Sequence, residues 1–111
     1  MNKEFSIRNR RRCESANGFN HPLHSWSLSD WFTAVFGELG EAANIAKKLN
    51  RVRDGIPGNK ENAEALRVKL ENEIADAHIY LDLLCQREDI DIERAVERVF
   101  AAKSAQIGYA E

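Results

Sequence analysis

Apolar and polar positions along the chain follow helical spacing in three stretches and strand spacing in none. From Leu28, apolar residues recur at Trp31, Phe32, Val35, Leu39, Ala42, Ala46 and Leu49. Steps of three and four keep such side chains on one helical face. Ser27 followed by Asp30 predicts a capping box, with aspartate in the place more often held by glutamate. Arg51 and Arg53 suit the last turn, where cations favour the helix dipole. Asp54-Gly55-Ile56-Pro57-Gly58-Asn59 then ends the helix, because two glycines and a proline oppose it. A second helix is predicted from about Glu61 to Arg87, with Leu66, Leu70, Ile74, Ala77, Leu81 and Leu84 as its stripe. Asp91 is a natural N-cap for a third, whose face is Ile92, Ala95, Val96, Val99 and Phe100 and whose stop is Gly108. No segment alternates with period two, so the predicted class is all-α, a helical hairpin or bundle.

Residues 1–25 read differently. Asn17-Gly18, Asn20 and Pro22 are turn residues and punctuate an irregular N-terminal segment. Within it, Phe5, Asn9 and Arg12 allow a short helix over residues 3–13. The expected organisation is therefore this segment followed by a single all-α domain over 26–111.

Composition narrows the classes. At 111 residues the chain has room for one modest core. Sixteen Lys and Arg stand against eighteen Asp and Glu, a net charge of -2, too near neutral to argue by itself for a nucleic-acid or membrane-surface protein. Cys13 and Cys85 offer neither a disulfide framework nor a zinc knuckle. No apolar run approaches the roughly 18 residues of a membrane span. The charged start, MNKEFSIRNRRR, lacks the apolar stretch of a signal peptide. A cytoplasmic protein with reduced thiols is expected.

The candidate chemistry lies in carboxylates. With about 100° per residue, and Val35 at zero, Glu38 falls near −60° and Glu41 near −120°. With Leu70 at zero, Glu73 and Asp76 fall at the same two angles. Glu38-Leu39-Gly40-Glu41-Ala42 thus echoes Glu73-Ile74-Ala75-Asp76-Ala77, 35 positions later. A carboxylate bordering an apolar stripe becomes partly buried, and that is costly unless it is paired or binds a metal. Residues three apart are neighbours on a helix, so two such pairs on facing helices bring four carboxylates together. Hard oxygen donors of this kind suit Mg²⁺ or Mn²⁺. Alternatively, each Glu-x-x-Glu is a solvated face paired with Lys47, Lys48, Arg67 or Lys69. Other sites fit less well: there is no phosphate-binding glycine loop ending in lysine, and no Glu precedes a His by three as a di-iron bundle requires.

Gly37-Glu38-Leu39-Gly40-Glu41-Ala42, then Glu73-Ile74-Ala75-Asp76 with Ile79-Tyr80-Leu81, then Ile90-Asp91-Ile92-Glu93-x-Ala95-Val96, in that order, resemble the MazG-like all-α nucleoside triphosphate pyrophosphohydrolases. The resemblance covers about residues 26–105. The 31 residues between Glu41 and Glu73 form a longer gap than is usual there, and the Asp54–Lys60 turn accounts for it. The resemblance implies Mg²⁺-dependent hydrolysis of ribo- or deoxynucleoside triphosphates to monophosphate and pyrophosphate, with Mn²⁺ as the alternative ion. It implies Glu38, Glu41, Glu73 and Asp76 as the metal and catalytic set, with Glu41, Glu73 and Asp76 as ligands and Glu38 as a base or outer group. It also implies homodimers or homotetramers.

Around that set, Lys48, Arg51 and Lys103 are candidates for phosphate oxygens, against the plainer role of solvated cations. His24, Trp26 and Tyr80 are candidates to stack on a base, or else they pack. His78 is expected at the edge of the core and Cys85 within it. Ile79 and Leu83 lie off the main stripe of the second helix, and as exposed apolar residues they would suit a partner copy. Two rival functions stand beside the enzyme: a non-catalytic helical interaction module, and a nucleic-acid binder using Arg8, Arg10, Arg11 and Arg12. For the arginines a solvated helix or tail is the expectation, and nucleic acid is not an expected partner.

Overall fold

Each helix begins and ends where local chemistry satisfies its free backbone groups. In the computed structural model, which describes residues 2–111, four α-helices and one 3₁₀ turn are the regular elements. They are α1 (Lys3–Glu14), the turn Leu23–Ser25, α2 (Leu28–Arg53), α3 (Ala63–Arg87) and α4 (Ile92–Ile107). The described residues contain no strand, as the spacing predicted. None of the helices is long and apolar enough to cross a membrane.

The predicted caps are present. Ser27 and Asp30 form the capping box of α2 in both directions. The Asp91 side chain accepts from the Arg94 amide to start α4. Gly108 ends α4 at φ 74°, a left-handed conformation that suits glycine. α3 starts two residues later than the expected Glu61, because the Asn62 side chain caps it, accepting from the Ala65 amide at 2.9 Å.

The chain divides into two compact units, and α3 runs through both. Residues 26–81 form one: α2, the connection 54–62 and α3 up to Leu81. The connection is clasped from α2, where Arg51 Nη2 donates to the Pro57 carbonyl at 3.2 Å and Asn59 Nδ2 donates to the Lys48 carbonyl at 2.8 Å. The helices are antiparallel, Trp31 near the start of α2 meeting Tyr80 late in α3 at 6.4 Å between ring centroids. Trp31, Val35, Ala42, Ile45, Leu66 and Ala77 are buried. The seam is narrower than the predicted stripe: Leu28, Phe32, Leu39 and Ile74 are exposed, and Ile45 is buried in their stead.

The other unit comprises residues 1–25 and 82–111, so the segment grouped with α1 is the chain's far end. Its N-terminal stretch is more ordered than the irregular segment expected. α1 spans Lys3–Glu14, capped by the Asn2 side chain. The following turn is tied back to it: Cys13 Sγ donates to the His21 carbonyl at 3.0 Å, and Glu14 Oε2 accepts from the Leu23 amide at 3.0 Å. A buried polar knot holds α1 to the end of α3. Asp82 accepts from Ser6 Oγ at 2.6 Å, from Asn9 Nδ2 at 2.9 Å and from Gln86 Nε2 at 3.0 Å. Leu83, expected to be exposed, is buried, as are Leu84 and Cys85. α4 has no buried residue, and Val96, Val99 and Phe100 face solvent.

Candidate carboxylate site on the helical hairpin

Helical repeat and antiparallel pairing together place the acidic residues. Glu38 and Glu41 lie one turn apart on α2, as Glu73 and Asp76 do on α3. The hairpin brings one carboxylate oxygen each of Glu38, Glu73 and Asp76 within 4.8 Å of one another. Glu41 stands outside that group of three but is in hydrogen-bonding reach of Glu73. The tight set therefore contains Glu38, the residue assigned above to an outer role.

Like charges at this spacing repel, which raises the cost of ionising them together. The Glu41 carboxyl is pushed above the usual glutamate range, first by Glu73 facing it. Glu73 is pushed up as well, first by Glu38, while Glu41 acts in the opposite direction. Glu73 Oε2 is buried and has no donor. No Lys or Arg forms an ion pair with any of the four among the described residues. Lys69, one of the cations available to a solvated face, is committed to Glu61 at 2.5 Å, while Glu41 and Asp76 are exposed to water. A set of anionic oxygens, one of them buried and lacking a donor, fits a hard divalent cation.

A cleft of about 540 Å³ opens beside the set, lined by Gly37, Gly40, Glu41, Asn44, Lys69 and Glu73 among others. Asn44 was missed from sequence. Its signal is its place one turn beyond Glu41, which puts a neutral donor and acceptor on the same face.

The flanking candidates separate. Tyr80 and Trp26 both pack at Trp31, Trp26 with 4.7 Å between ring centroids. Each ring is packed against Trp31 and half-buried. Arg51 clasps the connection through Pro57, and Lys48 is half-buried at the same end of α2. His24 and Lys103 belong to the other unit. His24 is exposed on the 3₁₀ turn, and Lys103 Nζ donates to Gln106 on its own helix at 3.3 Å. His78, expected at the core edge, is exposed, its ring nitrogen 3.2 Å from the Ile74 carbonyl. On a hairpin with a single buried seam, that side of α3 faces water.

Comparison with family models, curated proteins and solved structures found no match to this chain.

Proposed function

We propose that the chain is a Mg²⁺-dependent pyrophosphohydrolase of the MazG-like kind, acting on ribo- or deoxynucleoside triphosphates. Water and the triphosphate yield the monophosphate and pyrophosphate. The observation that carries this reading is the convergence of Glu38, Glu73 and Asp76 from two helices, with no cation paired to them. The first two of the ordered motifs that resemble the family fall on these same helices, and the third falls at the start of α4.

Glu38, Glu73 and Asp76 would hold the ion, Mg²⁺ or Mn²⁺, which when bound supplies charge neutralisation at the phosphates and a more acidic water. Glu41 stands outside the group of three and faces Glu73, which raises its pKa, and it would serve as the proton acceptor for water attacking the α-phosphorus. Asn44 lines the cleft and offers an amide donor to a phosphate oxygen. Lys48 remains a candidate for phosphate contact.

Homodimers or homotetramers belong to the proposal. Phe32 and Phe36 stack on each other at 6.2 Å between centroids, yet both are exposed, as are Leu39, Val96, Val99 and Phe100. Apolar rows of this kind suit a second copy. We place the activity in the cytoplasm.

The test is pyrophosphate release from a panel of triphosphates with Mg²⁺ and with Mn²⁺. Wild type should produce monophosphate and pyrophosphate, and Glu41→Gln, Glu73→Gln and Asp76→Asn should fall to background while keeping their helical circular dichroism. No turnover of any triphosphate with either ion overturns the reading. A non-catalytic helical module would then be the better account, and it predicts no thermal stabilisation by Mg²⁺ with nucleotide.

A further inference from the structure

The unit formed by the two ends of the chain carries a charge arrangement that the carboxylate site does not use. α1 and its turn hold Arg8, Arg10, Arg11 and Arg12. Arg10 is paired with Glu14, Nε to Oε1 at 2.9 Å. Arg8, Arg11 and Arg12 pair with no carboxylate among the described residues. Their spacing of three and four puts them on one side of the helix. There they line a concave pocket of about 420 Å³ together with Phe5, Asn17 and Gly18, and no acidic residue lines it.

The wall of that pocket is held in place. Gly18 lies so close to the Arg12 carbonyl that a Cβ would collide with its oxygen. The Phe19 amide donates to the same oxygen at 3.0 Å. The next side chain is thereby presented outward: Phe19 is 70% exposed, and the Arg12 guanidinium stands over its ring, 5.4 Å from the centroid. Cations in a last helical turn stabilise the dipole. That role accounts for Arg11 and Arg12 as charges. It leaves unexplained three arginines around one acid-free hollow and an exposed aromatic ring beside them. A cationic groove that tracks phosphates, next to an aromatic face on which a base stacks, is the combination that holds single strands.

We propose that this face binds single-stranded nucleic acid, with Arg8, Arg11 and Arg12 on backbone phosphates and Phe19 stacked on a base. A duplex keeps its bases stacked on one another and offers Phe19 nothing. The inference shares no residue with the carboxylate site and stands or falls without it.

The experiment is fluorescence anisotropy of a labelled oligothymidylate of about 12 nucleotides, with the whole chain and with EDTA present. Affinity should weaken with salt at a log–log slope of about −2, from three phosphates at about 0.7 each on a single strand. Arg8→Gln combined with Arg11→Gln and Arg12→Gln should abolish binding, and Arg8→Gln alone should reduce the slope by about 0.7. Phe19→Ala should weaken binding about five-fold or more with the slope unchanged. These residues are exposed, and unchanged circular dichroism and melting temperature verify the folds. Glu41→Gln should bind as wild type, so a failed pyrophosphohydrolase assay leaves this result standing. Absence of salt-dependent binding overturns the proposal. So does binding retained by the triple arginine variant or unaltered in Phe19→Ala. Equal affinity for a duplex, or full competition by thymidine monophosphate at equal nucleotide concentration, also overturns it.

Discussion

Asp82→Asn removes one charge and almost no volume, and it should destabilise the unit that carries α1. Asp82 is 4% exposed and Asn9 is 3% exposed, so neither can exchange a lost partner for water. The carboxylate accepts three hydrogen bonds: Oδ1 from Ser6, and Oδ2 from both Asn9 and Gln86. An asparagine keeps one oxygen. With that oxygen toward Ser6, its amide nitrogen faces two donors; turned over, it faces the Ser6 hydroxyl, which can rotate to accept, but Asn9 and Gln86 must then share the weaker, uncharged oxygen. Gln86 is half-buried and retains its bond to the Ser6 carbonyl at 2.9 Å. The loss is then about two charge-assisted bonds weakened or one buried donor orphaned, about 2–4 kcal/mol. For a chain of this size that lowers the melting temperature by about 10–20 °C. Thermal and urea unfolding followed by far-ultraviolet circular dichroism would measure it. A cycle with Asn9→Ala should show a coupling of about 1 kcal/mol or more. A loss under about 0.5 kcal/mol, or strictly additive single variants, would refute the reasoning, because the knot would then not be closed to water.

Three further outcomes are expected. Leu66→Ala, at a side chain with 0% exposure, should cost about 2–5 kcal/mol by chemical denaturation, whereas Leu39→Ala on the exposed row of α2 should cost far less in the isolated chain. Glu14 is held below the ordinary glutamate value of 4.5, first by its hydrogen bond from Arg10 and then by the Leu23 amide. Its stabilisation is present above 4.5 and fades as pH falls through the lower folded-state value. The melting temperature of Glu14→Gln should therefore fall less than that of wild type on acidification through this window, and parallel curves would contradict the assignment. Gly18→Ala drives a Cβ into the Arg12 carbonyl, so it should lower the melting temperature and reduce oligothymidylate binding together; an unaffected melting temperature would show that the turn is not held as described.

Helix ends were legible from the sequence because capping is local. Ser27 with Asp30, Asp91 and Gly108 act within three or four residues of themselves, and no distant contact is needed to place them. The carboxylate echo was legible for the same reason, since helical period alone puts Glu38 beside Glu41 and Glu73 beside Asp76. Which three oxygens converge depends on how α2 and α3 pair along their lengths, and that is a property of two helices together. Burial was less legible. The apolar stripe of α2 is wider than the seam one partner helix can cover, so Leu28, Phe32 and Leu39 are left exposed while Ile45 is covered. Leu83 lies off the main stripe on a helical wheel but is buried within the unit formed by the chain's ends. The polar knot joins Asn9 to Asp82 across 73 positions, and the arginine pocket exists only because residues 15–19 turn back on α1. Patterns of period and capping are written along the chain, where neighbours are a few residues away. Partners that meet across long stretches of sequence are selected by packing, and only the tertiary structure brings them together.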